Sequence, residues 1–285
     1  MAPNYTVLDG PVGTELLRRG IPTPLPLWSA TAIDEAPDVL AEIHRDYALA
    51  GATVHSTNTF RTSPWALRAV GREADAPRLT RDAVRIARSA VPSTHRVAGC
   101  LAPLEDCYSP GLSPAASIAR PALGEAADLL AAAGVDLILC ETFPHPGEAL
   151  LALDAAAATG LPVWVSLTPG PSGDLLDDAT ILRVGMRAMN AGADAVLVNC
   201  GRPDRIATAI AALAKEGVPT GGYGNVGEPD PVQGWRSEGE SAPDPYADAV
   251  LGWVRSGASI VGGCCGTTPA HIARINQRLR GSLAP

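Results

Sequence analysis

Residues 193–201 read Ala193-Asp194-Ala195-Val196-Leu197-Val198-Asn199-Cys200-Gly201. The run Ala195–Cys200 is apolar until its end and shows no alternation, the pattern of a strand covered on both faces in a parallel sheet. Ala179–Asn190 before it and Ile206–Glu216 after it carry helical spacing, so the stretch reads helix, strand, helix. The same unit recurs in both directions. Strands are expected at Tyr5–Asp9, Thr53–Thr57, Arg96–Leu101, Asp136–Glu141, Val163–Thr168, Pro219–Tyr223 and Ser259–Gly263. A helix opens at Asp34-Glu35-Ala36-Pro37, carries Leu40, Ile43, His44 and Tyr47 on one face and stops at Gly51; others cover Gly124–Ala133, Gly147–Thr159 and Pro269–Arg280. Eight strands alternating with helices over 285 residues predict an α/β fold, a single (β/α)8 TIM-type barrel, whose usual size is about 250 residues. An open doubly wound sheet is the rival. No linker divides the chain, so residues 1–285 are expected to form one domain. Glu228–Pro245, rich in Pro, Glu, Ser and Gly, is expected to loop over the barrel mouth.

The composition narrows the function. Apolar residues make up 46 % and charged residues 18 %, which suits a folded core and excludes a disordered chain. Thirty acidic against 22 basic side chains give a net charge of -8, and no basic cluster offers itself to nucleic acid. No apolar run approaches the roughly 20 residues that span a bilayer, and the start lacks the basic and apolar regions of a signal peptide. The chain is therefore expected in the cytoplasm, where six cysteines are thiols or metal ligands rather than disulfides. Lys215, the only lysine, sits at the polar end of a helical run, a poor place for a Schiff-base amine.

Barrel chemistry collects at the carboxyl ends of the strands. Those ends carry Asp9-Gly10, Cys140-Glu141-Thr142, Asn199-Cys200-Gly201 and Gly262-Gly263-Cys264-Cys265-Gly266. Neighbouring cysteines on a regular strand face opposite sides, but the flanking glycines free the backbone to turn both sulfurs to one point. With Cys200 they make three thiolates able to hold zinc with an open fourth position. Such a site suits alkyl transfer to a metal-held thiol, because three thiolates leave the ion a weak Lewis acid and the incoming sulfur electron-rich. Cys100, Cys107 and Cys140 are expected to fill the core.

These residues resemble the zinc-dependent homocysteine S-methyltransferases over nearly the whole chain. The resemblance runs from Leu8-Asp9-Gly10-Pro11-Val12-Gly13-Thr14-Glu15-Leu16 through Leu27-Trp28-Ser29 and Thr57-Asn58-Thr59-Phe60. It continues through Glu141-Thr142-Phe143, Asn199-Cys200 and Tyr223-Gly224-Asn225 to Gly263-Cys264-Cys265-Gly266-Thr267-Thr268-Pro269. It implies a (β/α)8 barrel with Zn2+ on Cys200, Cys264 and Cys265 as the catalytic centre. It implies substrate contacts at Asp9, Gly10, Trp28, Phe60, Glu141 and Asn199, with Asp9 and Glu141 on the amino group of homocysteine. The implied product is methionine, and the donor an activated methyl compound, S-methylmethionine or S-adenosylmethionine preferred. Leu197 stands where the family usually has glycine and is expected to narrow the space beside the site. A zinc-thiolate barrel that binds, senses or methylates another small thiol is the alternative.

Other features have plainer readings. Gly222-Tyr223-Gly224-Asn225-Val226-Gly227 fits a dinucleotide pattern, but Glu228-Pro229-Asp230-Pro231 cannot continue the helix such a site needs. His271 follows a Thr268-Pro269 helix start and reads as a surface or capping residue. His55 is expected to face either the mouth or the barrel interior, His145 lies in a rim loop, and Glu15 complements a helix dipole.

Overall fold

The computed structural model describes residues 5–229, 235–236 and 243–281. Eight strands are present: β1 (Thr6–Val7), β2 (Val54–Ser56), β3 (Arg96–Leu101), β4 (Leu137–Phe143), β5 (Val163–Leu167), β6 (Ala195–Asn199), β7 (Thr220–Gly224) and β8 (Ile260–Gly263). They run parallel in the order β1-β8-β7-β6-β5-β4-β3-β2. The two ends of that order also meet. Leu8 bridges Val54 in parallel register, the Thr53 amide donates to Val7 O at 2.8 Å and the Asp9 amide to Val54 O at 3.0 Å. The sheet therefore closes into a (β/α)8 TIM-type barrel, and the open doubly wound alternative is excluded.

Period-two geometry on apolar strands gives two cores. Leu8, Val54, Ala98, Leu137, Leu139, Trp164, Ala195, Leu197, Tyr223 and Ile260 fill the barrel interior. Their sequence neighbours, among them Val7, Val97, Ile138, Cys140, Val165, Val196, Val198 and Val261, pack outward under the helices. Cys140 thus belongs to the outer core, as expected.

The helical layer departs from the sequence reading in three places. Helices Ala76–Ala90 and Pro243–Arg255 were not anticipated, and helix Ala116–Ala132 starts well before Gly124, with Pro121 inside it. Pro121 lies inside that helix, so the Ser117 carbonyl one turn earlier lacks its intrahelical donor. Pro37, Pro146 and Pro203 instead stand at the starts of their helices, where the missing amide had no intrahelical acceptor. Lys215 is exposed at the end of helix Pro203–Lys215. No helix among the described residues is long and apolar enough to cross a membrane. The predicted loop 228–245 falls partly outside the described residues, and its last part begins helix Pro243–Arg255.

Candidate active site

Each strand end that carries chemistry turns into the barrel mouth through a local device. Cys200, directly after β6, has a left-handed backbone with φ 53°, and its amide donates to Tyr223 O at 3.2 Å. After β8, Gly266 has φ +80°, and a Cβ there would stand 1.8 Å from Val226 O. Only glycine allows that turn, and it is what swings Cys264 and Cys265 inward together. The three sulfurs lie within 4.8 Å of one another. Trp28 (φ 48°) and Thr142 (φ 63°) complete the set of left-handed non-glycine residues among those described, and both line the same cavity as Cys200. Strain of this kind costs about 1–3 kcal/mol per residue and concentrates at functional sites.

The cavity has a volume of about 480 Å³, within the range of small-molecule sites. Asp9, Gly10, Trp28, Phe60, Glu141, Cys200, Cys264 and Cys265 all line it. Asp9 accepts from the Ser56 amide at 3.0 Å and the Ser56 hydroxyl at 2.9 Å. Burial still pushes its carboxyl well above the usual range, with the Glu141 charge adding to the shift. Burial also raises Glu141, although Cys100 Sγ donates to its Oε2 at 2.8 Å. Two buried carboxylates facing one cavity call for a cation between them. Trp28 and Phe60 meet edge to face, with centroids 6.0 Å apart. Asn199 is buried and does not line the cavity. Its Nδ2 donates to Thr142 Oγ1 at 2.7 Å and reaches Cys264 Sγ at 4.0 Å, while Oδ1 accepts from Ser166. Asn199 therefore supports the cavity wall from behind.

The three thiols share protons unequally. Cys200 is held well below the ordinary thiol range, first by donors from Cys264 and Cys265, against burial, with help from Tyr108 and Asn225. The Cys264 and Cys265 thiols are correspondingly raised. Tyr108 Oη lies 3.0 Å from Cys200 Sγ, and Asn225 Nδ2 lies 3.7 Å from it. Three mutually close sulfurs suit one tetrahedral ion, whose zinc–sulfur distance is about 2.3 Å.

Some expectations need correction and others hold. Leu197 is fully buried in the barrel interior and is absent from the cavity lining, so it fills the barrel beneath the site and does not narrow it. Cys100 and Cys107 line the cavity instead of simply filling core. His55 points neither to the mouth nor to the interior. Val54 and Ser56 take the inward positions, which leaves His55 in the layer under helix Pro37–Ala50. His271 is buried, not on the surface, and its Nδ1 caps with the Thr268 amide at 3.1 Å. His145 caps helix Pro146–Ala157 by accepting from the Glu148 amide. Glu15 is buried beneath Arg18 and Arg19, at 2.8 and 3.9 Å. Residues Asn225–Pro229 after β7 form no helix.

Sequence reasoning missed Tyr108, Trp235 and Arg61, all on the cavity. The first and last form part of loops after β3 and β2, so their place just past strand ends was the available signal. Trp235 carries a weaker one, as a large aromatic in an aromatic-poor chain.

Residues 6–279 match the family profile described as homocysteine S-methyltransferase. The chain belongs to the homocysteine S-methyltransferase family. Within it, this methyltransferase is 32% identical to the homocysteine S-methyltransferase of Escherichia coli (strain K12), over 95% of this chain and 94% of that protein. It is 27% identical to the selenocysteine methyltransferase of Astragalus bisulcatus, over 100% of this chain and 95% of that one. Among solved structures, the metallated form of the E. coli homocysteine methyltransferase MmuM superposes with a TM-score of 0.82 at 27% identity, covering 96% of both chains. The apo form of that protein gives 0.74.

Proposed function

We propose that this family member moves a methyl group from a sulfonium donor, S-methylmethionine or S-adenosylmethionine, to the thiol of homocysteine, yielding methionine. The observation that carries the reading is the convergence of three cysteine sulfurs within 4.8 Å of one another in a cavity that also exposes two buried carboxylates. Cys200, Cys264 and Cys265 would hold zinc, which when bound lets the acceptor sulfur enter as thiolate at neutral pH. That the similar MmuM structure is a metallated form supports a metal-binding reading.

Asp9 and Glu141 would hold the acceptor's ammonium, offsetting the burial that otherwise disfavours their charges. Gly10 lines the cavity beside Asp9 and lets Tyr47 pack close behind it, since a Cβ there would meet Tyr47 Oη at 2.6 Å. The acceptor sulfur attacks the donor's methyl carbon, the carbon–sulfur bond to the sulfonium breaks, and the neutral sulfide departs with the bonding electrons. One proton from the acceptor thiol is released for each methyl moved. An onium donor fits the walls: Trp28, Phe60, Tyr108, Tyr223 and Trp235 line the cavity, a large share of the aromatics in a chain only 4% aromatic. Aromatic faces attract such cations by roughly 0.5–2 kcal/mol each. Asn199 would act by orienting Thr142 and Cys264.

The reading takes residues 1–285 as one homocysteine-binding barrel domain with small-molecule substrates. It places methionine formation in the cytoplasm, in keeping with six free cysteines. A selenocysteine methyltransferase among the relatives makes another small thiol or selenol the alternative acceptor. Single-turnover mixing of zinc-loaded protein with homocysteine and S-methylmethionine should form methionine in proportion to enzyme. No methionine with either sulfonium donor overturns the proposal.

A further inference from the structure

A second group of metal-binding side chains lies behind the active-site wall. Asp9, His44 and His55 each offer one ligand atom, and these atoms lie within 4.8 Å of one another. Asp9 is 1% exposed and both histidines 0%. His44 comes from the inward face of helix Pro37–Ala50, beside Ile43 and Tyr47. Neither of its ring nitrogens has a hydrogen-bond partner, and His55 Nδ1 has none. An imidazole nitrogen buried without a partner costs on the order of 1–3 kcal/mol, so three of them in one place require an account. His55 Nε2, by contrast, lies 3.1 Å from His95 Nδ1 with the two rings stacked. That contact orients the His55 ring, and the tautomer in which Nε2–H donates to His95 Nδ1 puts a lone pair on Nδ1 for an ion.

We propose that Asp9, His44 and His55 form a second metal site, distinct from the three cysteines, which takes a divalent transition ion through two imidazole nitrogens and one carboxylate oxygen. Two nitrogens with one oxygen favour Co2+, Ni2+, Zn2+ or Fe2+ over Mg2+ or Ca2+, which prefer oxygen throughout. Burial pushes His44 down to about 4 and His55 down to about 3. Both rings are therefore neutral at pH 7, the form that ligates. The hydrogen bonds to the Asp9 carboxylate come from the uncharged Ser56, and an ion would supply the positive charge its burial demands. The His55–His95 contact has the form of the outer hydrogen bond that usually orients a metal-bound histidine.

Asp9 belongs to both sites, so an ion here competes with the acceptor's ammonium; this consequence alone rests on the proposed function. The site would thus make excess transition metal an inhibitor of the enzyme whose other site needs one.

The full-length chain, stripped by chelator and titrated with Co2+ alone, tests the site. Two equivalents should bind, one with a near-ultraviolet thiolate-to-cobalt charge-transfer band and one without. Cys200→Ser should abolish the band and keep the second equivalent. His44→Gln should lose the second equivalent and keep the band, which also reports an intact fold; His55→Met serves as the second variant. One equivalent in the unmodified chain, carrying the full band, overturns the site and leaves only an ordered water to satisfy the histidines. Two equivalents retained in both histidine variants overturn it equally. Two equivalents without any band would instead sink the cysteine reading and leave this one standing. Added Co2+ should raise the acceptor KM in the unmodified chain and not in His44→Gln; an equal rise in both overturns the competition.

Discussion

Cys200 shows what one residue contributes here. Its left-handed backbone (φ 53°) is strained for a side chain with a Cβ, yet that turn brings its sulfur to the other two. Glu141 shows the electrostatic counterpart. An ammonium partner requires it ionised, and burial has raised its pKa, so the ionised fraction falls off at higher pH than for an ordinary glutamate of about 4.3. The acceptor KM should therefore climb as pH drops through this raised value and level off above it. Glu141→Gln should raise the acceptor KM at pH 7 by about 10–100-fold, the equivalent of a lost charge-assisted hydrogen bond of about 1.5–3 kcal/mol. It should also flatten the acid limb attributable to Glu141, leaving any contribution from Asp9. Steady-state kinetics against pH check both; an unchanged acceptor KM removes Glu141 from the ammonium site.

At the scale of elements, the turn after β8 and the body of β6 carry different burdens. The turn is built on Gly266, whose position excludes any Cβ because Val226 O would lie 1.8 Å away. Gly266→Ala must shift the backbone beside Cys265, and the expected outcome is weakened metal retention with a far-ultraviolet circular dichroism spectrum unchanged. Full metal content after dialysis would show that the turn does not position the ligands. In β6, Leu197 packs inside the barrel with Tyr223 and Ile260. Leu197→Ala should cost about 2–5 kcal/mol of stability, as for other buried leucines, read from urea unfolding, with both KM values unmoved. The reverse pattern, altered KM at constant stability, would return Leu197 to the substrate site.

At the scale of the whole molecule, the three cysteines tie the end of β6 to the end of β8 across intervening β7. A metal that binds only the folded barrel adds its binding free energy to stability, about 2.7 kcal/mol at a hundredfold excess over Kd. Chelation should lower the thermal midpoint by roughly 4–8 °C, measured by calorimetry with and without chelator. Cys200→Ser should show a smaller shift, and an equal shift would locate the stabilising ion elsewhere.

The sequence by itself determined an α/β fold of eight parallel strands covered on both faces, because apolar runs alternate with helical segments along the chain. That the sheet closes into a barrel was decided by the pairing of Leu8 with Val54. The sequence also carried the candidate cysteines and carboxylates, since barrel chemistry gathers where strands end and those residues stand at strand ends. What it could not carry was direction. Whether His55 looked into the barrel or under a helix, and whether Leu197 met substrate or core, depended on which side of the pleat each residue took once the sheet closed. Tyr108 met Cys200 only because a loop from β3 folds across the mouth. Those relations join residues far apart in the chain, and only the packed barrel brings them within reach of one another.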